Sequence, residues 1–378
     1  MHLVFAIDHL GSGGAQRQAV EIAAFLRAEA GLRVSVLVYR DLDFHAPRLR
    51  EAGVEVALLP KAFKFDPRQP GRIGAWLRER HADVVHAFML RPALWMLAAA
   101  RSMNRRGRPA LVAAERSSLI ATGLRQHCMQ RIVYRGADAV TANAESVARE
   151  ITRKLGVPPE RVHYIPNGIR LDDWDRQAAG EAPFALEPGR FHLALVGGLR
   201  REKNHGLVLE ALSRLPEPER ADLRVWFIGA ESGGHGIAEC IRREIVERGL
   251  GAIVRIEPPT RSIAAVMRRL DGILLPSAYE GFPNVALEGM ASGVPVIASP
   301  VGDVPNLLAD GETGFVLERI DAESLIHALR RLRDLTAEER AALGARARRV
   351  VEERYAMSAI ARRHLALYEA VAPRRTGG

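Results

Sequence analysis

Short apolar runs alternate with longer stretches in which apolar residues recur every three or four positions, from one end of the chain to the other. The runs predict strands at 3–7, 34–39, 54–59, 84–88, 110–114, 139–141 and 162–165. A second series follows at 192–196, 224–228, 253–256, 272–275 and 294–298, with a short extra strand at 314–316. Helical periodicity fills the gaps, for example at 16–29 and 124–134, and continues through the tail at 322–335, 337–355 and 357–372. Strands separated by helices point to parallel sheets built from βαβ units, an α/β fold. The two series are divided at Pro166-Asn167-Gly168, a turn sequence. It is followed by a polar, strand-poor stretch at 170–188 that reads as a linker. No internal repeat or low-complexity tract interrupts the pattern.

Length and composition add bounds. The 378 residues favour two domains, each large enough for its own core. The start of the chain reads as a strand rather than as a charged region followed by an apolar core, so no signal peptide is expected. The longest apolar run, 93–100, is too short to span a bilayer. Cys128 and Cys240 fall in different halves, in helical segments. They suit a reduced cytoplasm and supply neither a disulfide framework nor a metal site. The formal charge of +9 is carried almost wholly by arginine, since only Lys61, Lys64, Lys154 and Lys203 are lysines. Such a balance is either a set of solvated helix faces or an attraction to an anionic partner, membrane or nucleic acid. No zinc finger, RRM or helix-turn-helix pattern is present, so nucleic acid is not expected as a partner.

The most informative segment is SAYEGFPNVALEGMASGVPVIAS at 277–299. A short apolar strand precedes it, and Glu280 and Glu288 bracket a Gly-Phe-Pro-Asn turn that opens a helix near Asn284. A helix start offers backbone N–H groups and a positive dipole end to an anionic ligand. A carboxylate beside it suits sugar or ribose hydroxyls, which donate to it. Diphosphate next to sugar describes a nucleotide-sugar. A second glycine turn, Gly11-Ser12-Gly13-Gly14, follows the first strand and opens a helix. Its spacing is not G-x-G-x-x-G, and Tyr39-Arg40-Asp41 places no acidic residue cleanly at the end of the second strand. A dinucleotide site is therefore disfavoured.

Taken in order, GSGGAQR at 11–17, DVVHAF at 83–88, IPNGI at 165–169, VGGLRREKN at 196–204 and the 277–299 block resemble the retaining glycosyltransferases of family 4, the group with the Glu-seven-Glu motif. The resemblance covers nearly the whole chain. It implies the GT-B fold, two Rossmann-like domains facing across a cleft. Residues 1–169 with the returning helix 358–378 would form the acceptor side, and 170–357 the donor side.

The resemblance assigns roles to matching positions. Glu288 would bind the nucleotide ribose, and Glu280 would lie beside the donor hexose. The N–H groups of Gly281, Phe282, Asn284 and Val285 would face hexose hydroxyls and phosphates. Gly13 and Gly14 would lie near the diphosphate and the acceptor. Lys203 would meet the diphosphate and offset charge growing on the leaving group. The family often carries Arg where this chain has Gly198, and Arg200 or Arg201 would have to compensate. His86 is placed at the end of the fourth strand, where open α/β sheets bind ligands; a satisfied structural histidine is the alternative. Where the family often has a histidine near the reacting centre, this chain has Glu115-Arg116. Glu115 would bind an acceptor hydroxyl or take its proton, or it would form a buried pair with an arginine.

Two further features complete the reading. Asp173-Trp174-Asp175 imitates a metal motif of the other glycosyltransferase architecture but falls in the linker, so it reads as a loop, and no metal or other cofactor is expected. Trp76 sits with Ile73 and Leu77 on one helix face, with Arg72, Arg78 and Arg80 around it and Arg101, Arg105, Arg106 and Arg108 nearby. This is either a core-facing stripe with a wet basic back or a face for anionic lipid. The expectation is a cytoplasmic hexosyltransferase, peripheral on the membrane if the second reading holds. It would pass sugar from a nucleotide-sugar to a saccharide or lipid-linked acceptor in bacterial surface polysaccharide or lipopolysaccharide assembly. A non-catalytic relative in an assembly, or a nucleotide-sugar epimerase of similar shape, is the alternative.

Overall fold

Along strand β1 (His2–Ile7) successive side chains enter opposite hydrophobic layers. Val4 and Ala6 join one cluster, and Leu3, Phe5 and Ile7 join the other. A strand apolar on both faces belongs inside a parallel sheet covered by helices on each side. The computed structural model builds that arrangement twice. It describes all residues except 12, 62, 64, 65, 105, 106, 117–122, 232–235 and 374–378. Ser12 of the glycine turn, Arg105 and Arg106 of the basic loop and the tail beyond Pro373 therefore lie outside the described residues.

The chain divides into two units, Met1–Gly168 with Met357–Gly378, and Ile169–Ala356. In the first, β1 is joined by β2 (Arg33–Val38), β3 (Glu55–Leu58), β4 (Val84–Phe88), β5 (Ala110–Glu115), β6 (Ala139–Ala142) and β7 (Val162–Tyr164). Their order is β3-β2-β1-β4-β5-β6-β7, with parallel pairing throughout. The chain's last helix, Met357–Val371, completes this unit. Its Ile360, Ala361, Leu367 and Tyr368 share a layer with Leu3, Phe5 and Ile7. Gly168 is tied to the same layer by Gln18, whose amide both donates to its carbonyl (2.8 Å) and accepts from its N–H (3.0 Å).

The second unit repeats the plan with β8 (Phe191–Val196), β9 (Leu223–Ile228), β10 (Val254–Glu257), β11 (Gly272–Leu275), β12 (Val296–Ala298) and β13 (Phe315–Val316). Their order is β10-β9-β8-β11-β12-β13, again all parallel. Leu193 and Leu195 face one layer and Ala194 the other. In each sheet the chain order reverses direction at one place, between β1 and β4 and between β8 and β11. Loops leaving neighbouring strands at such a switch point diverge and open a crevice at the carboxyl ends, where ligands bind in open α/β sheets.

The expected linker is corrected in part. Residues 171–178 form a helix, Leu171–Ala178, packed within the second unit. Trp174 is buried and donates its indole N–H to Ser292 Oγ (3.0 Å). Asp173 accepts from Arg170 (2.7 Å), and Asp175 is held by the Arg348 guanidinium, which keeps its carboxyl below the usual range. The Asp-Trp-Asp sequence is thus helical rather than a loop, and its carboxylates are engaged by arginines.

Candidate functional site

The switch point of the second unit gathers chemistry from three strand ends. β8 runs into a loop at 197–204 that begins with Gly197 at φ +142° and ends with Asn204 at φ +57°. Gly229 lets this loop lie close: a Cβ there would stand 1.9 Å from the Gly197 carbonyl oxygen. β11 runs into the loop at 276–283, and the two loops are laced together. Ala278 donates its N–H to the Glu202 carbonyl (2.9 Å), and Asn204 donates its side-chain amide to the Pro276 carbonyl (3.1 Å). From the end of β12 comes Gly302, at φ +58°, against whose α-carbon the carbonyls of Glu280 and Gly281 pack. Asp303 then donates its N–H to the Gly281 carbonyl (3.1 Å). The turn carrying Glu280 is thereby fixed from both sides by backbone contacts.

That frame sets Lys203 against Glu280. Lys203 is 8% exposed, and its ammonium donates to Glu280 Oε1 at 2.7 Å, with the Ser277 hydroxyl donating to the same oxygen at 2.8 Å. Gly197 leaves the lysine its channel, since a Cβ at that position would lie 3.1 Å from Lys203 Cε. His205, next along, adds no charge at neutral pH: burial first, then the Lys203 ammonium, lowers its pKa to about 4. The pair joins residues 77 apart in sequence and is a charge-assisted bond of the strong kind.

Helix Asn284–Ala291 follows the turn. Phe282 turns its ring into the core against Tyr355, 6.0 Å between ring centres. Gly289 brings the helix onto β11 and β12, because a Cβ there would stand 2.8 Å from Ile273 and Val296 side chains. The Asn284 N–H is engaged by the Phe282 carbonyl (3.0 Å). Glu288 lies one turn inside the helix and is 6% exposed. Arg200 is exposed and paired with Glu202 at 3.2 Å, and Arg201 is exposed.

The first unit's switch point carries the glycine turn. Helix Gly14–Ala28 starts directly after Gly13, which is extended at φ −75°, and its first turn holds no acidic residue. Gly13 is close-fitted, since a Cβ would stand 2.2 Å from Gln16 Oε1. A helix start with no carboxylate in its first turn favours an anion.

His86 corrects an expectation. It is the third residue of five in β4 rather than the last, and it is 1% exposed. Its Nδ1 lies 2.6 Å from the Tyr368 hydroxyl and its Nε2 3.1 Å from Thr141 Oγ1, so both nitrogens are engaged within the core beneath the C-terminal helix. Glu115 is buried as well. One carboxylate oxygen accepts from Tyr134 Oη (2.7 Å) and Gln130 Nε2 (3.2 Å), and the other accepts from the Arg116 N–H (2.9 Å). Burial, then the Glu115 charge, holds the Tyr134 phenol well above its usual range, so it stays a donor. Arg116 lays its guanidinium over Phe88 at 4.7 Å and donates to Asn167. Trp76, Ile73 and Leu77 are core residues, with Arg80 stacked on the indole at 4.4 Å, so that face is not a lipid surface.

The His86 neighbourhood has a pH consequence. Burial pushes His86 and His364 well below the ordinary histidine value of 6.5, and neither ring nitrogen of His364 has a hydrogen-bond partner among the described residues. Above about pH 6.5 both folded and unfolded forms are neutral there, so neither histidine biases folding. As pH falls below that value the unfolded chain takes up protons that the folded chain refuses, and stability is lost. His364→Leu should therefore flatten the fall in melting temperature between about pH 7 and pH 5 without lowering it at pH 7. An unchanged slope, or a large loss at pH 7, would contradict this.

Sequence reasoning gave no role to Ser277, Asn204 or Gly302, which hold the Glu280 turn. Asn204 had a signal, since a left-handed residue opening a helix is commonly Asn or Gly. Among the described residues, no group of three or more His, Cys, Asp or Glu could hold a metal ion.

Comparison with known proteins sets this architecture in a class. Residues 12–173 match the model described as Glycosyltransferase Family 4, and residues 181–350 match Glycosyl transferases group 1. D-inositol 3-phosphate glycosyltransferase of Thermomonospora curvata is 32% identical over 216 residues, 53% of this chain and 50% of that protein. The chain thus spans about half the length of the curated relatives it matches. HepE of Anabaena, solved in complex with UDP, superposes with TM-score 0.83 at 17% identity, covering 98% of this chain and 100% of that one. The lipopolysaccharide outer core galactosyltransferase WaaB superposes with TM-score 0.75 at 17% identity over 98% and 100%. At that identity the likeness shows the fold, GT-B, with two Rossmann-like domains. The chain belongs to the family 4, group 1 glycosyltransferases.

Proposed function

We propose that this protein is a retaining hexosyltransferase that moves sugar from a nucleotide-sugar to a hydroxyl of a saccharide or lipid-linked acceptor. The pathway we propose is bacterial surface polysaccharide or lipopolysaccharide assembly, at the inner face of the cytoplasmic membrane. The observation that carries the reading is the Lys203–Glu280 pair, fixed at the switch point directly before a helix start with buried Glu288 one turn inside. Without donor, each partner neutralises the other. With donor, Lys203 turns to the diphosphate, Glu280 accepts from a hexose hydroxyl, and Glu288 accepts from the ribose. The relatives support the class: HepE is solved with UDP, the T. curvata protein is named for an inositol phosphate acceptor, and WaaB is a lipopolysaccharide galactosyltransferase.

The chemistry follows from charge. The bond from the anomeric carbon to the phosphate oxygen breaks as the acceptor oxygen bonds to that carbon on the same face. The acceptor's proton passes to the departing phosphate oxygen. Negative charge grows on the diphosphate, where Lys203 and helix-start amides stabilise it without reorganising. A covalent route through Glu280 is disfavoured, since the family resemblance places this carboxylate at the hexose hydroxyls.

A thermal-shift screen of UDP-, GDP- and ADP-sugars tests this. A donor at a hundred times its Kd adds about 2.7 kcal/mol to the folded state, which for units of this size raises the melting temperature by roughly 5–10 °C. The same donor should be hydrolysed slowly without acceptor. No shift and no hydrolysis with any of the three series would refute the proposal.

A further inference from the structure

Helix Leu124–Gly136 in the first unit turns an unusual face outward. Its buried side is held by Gln130, Val133 and Tyr134. At 100° per residue, Leu124, Cys128, Ile132, Arg125, Arg131 and Arg135 fall within one arc of about 120° on the opposite side, and all six are exposed. Leu124 is 81% exposed and Ile132 55%. Singly exposed apolar residues need no explanation, but here Leu124, Cys128 and Ile132 form an i, i+4, i+8 stripe. Three arginines flank it, and the helix contains no acidic residue. Basic charge continues at the helix end. Arg161 donates to the Arg135 and Ala137 carbonyls, and Arg101 lies beside Gly136. Asp138, the acidic residue next to that end, is paired with Arg108 (2.9 Å).

We infer that this face is a docking surface for an anionic lipid bilayer. The argument is charge complementarity combined with apolar depth. A helix lying in the interface inserts apolar side chains below the headgroups while its cations meet anionic lipid. Arginine stems reach past the apolar stripe and keep their guanidinium groups at headgroup level. The contact proposed is peripheral, and among the described residues no helix is long and apolar enough to cross a membrane. The inference rests on the proposed lipid-linked acceptor for its purpose, and on the helix face for its evidence. It moves the membrane contact away from the Trp76 helix, whose apolar residues are in the core.

The two free, exposed cysteines supply the test. Cys128 lies in the stripe, and Cys240 lies on a helix of the other unit. Full-length protein is labelled with a polarity-sensitive fluorophore at Cys128 in Cys240→Ser, and at Cys240 in Cys128→Ser. Each is mixed with phosphatidylcholine vesicles with or without phosphatidylglycerol. The expected result is a blue shift at Cys128 alone, with phosphatidylglycerol alone, reversed by high salt. In unlabelled protein, Arg125→Glu with Arg131→Glu and Arg135→Glu should lower vesicle partitioning at least about tenfold. Leu124→Asp with Ile132→Asp should lower it at low salt as well. A silent Cys128 probe, an equal response to neutral vesicles, unchanged partitioning of both variants, or self-association through this face in place of vesicle binding would overturn the inference. Donor hydrolysis measured on the same samples separates the two ideas. Intact hydrolysis with no vesicle response sinks the docking surface alone, and a vesicle response without hydrolysis sinks the transferase alone.

Discussion

Lys203→Ala should lower sugar transfer by about a hundred- to a thousandfold, the loss typical of removing one preorganised donor from developing negative charge. The effect should fall on kcat, because that charge is greatest in the transition state. The variant also leaves Glu280 with the Ser277 hydroxyl but without its cation. Breaking a wholly buried pair costs about 3–5 kcal/mol, and this pair is nearly buried, so a fall in melting temperature is expected too. The double variant Lys203→Ala/Glu280→Gln removes the uncompensated carboxylate and should recover most of the melting temperature while transfer stays lost. Recovery of both together, or turnover of Lys203→Ala near wild type, would show that the pair is structural.

Glu288→Gln should act on the other kinetic constant. The substitution keeps the shape of a side chain packed inside helix Asn284–Ala291. It removes the charge that strengthens bonds from ribose hydroxyls, and hydrogen bonds to charged groups are worth about 1.5–3 kcal/mol. The donor KM should rise about 10- to 100-fold with kcat within a few-fold, since ribose is held alike in ground and transition states. Steady-state kinetics against donor concentration at saturating acceptor reads this directly. A collapse of kcat at unchanged KM would place Glu288 at the reacting centre and not at the ribose.

The fold was largely legible because its strands carry their own signature. Short runs such as Leu193-Ala194-Leu195 are apolar on both faces, and the breaks between them are long enough for helices. The helix Leu171–Ala178 escaped because Asp172, Asp173, Asp175 and Gln177 masked it. Its anchors, Leu171, Trp174 and Ala178, have helical spacing, but a three-residue pattern is weak until Trp174 is seen buried. At the site, the Glu280 and Glu288 turn could be placed from local spacing, whereas its union with Lys203 depends on β8 and β11 being neighbours, which no local pattern encodes. The Trp76 and Leu124 helices show the same limit from the other side. The first reads as amphipathic with arginines and the second simply as a helix, and only packing decides that Trp76 faces the core while Leu124 faces out. His86 was misplaced for a related reason. Position in a strand says which end is near, but not that the C-terminal helix, through Tyr368, covers the ring.

The most direct measurement is a crystal structure with the nucleotide-sugar that raises the melting temperature most. The account predicts diphosphate density within hydrogen-bonding distance of Lys203 Nζ and of the Gly281, Phe282 or Val285 amides, with the 2.7 Å bond to Glu280 opened. A nucleotide bound elsewhere, with Lys203 still closed on Glu280, would contradict it.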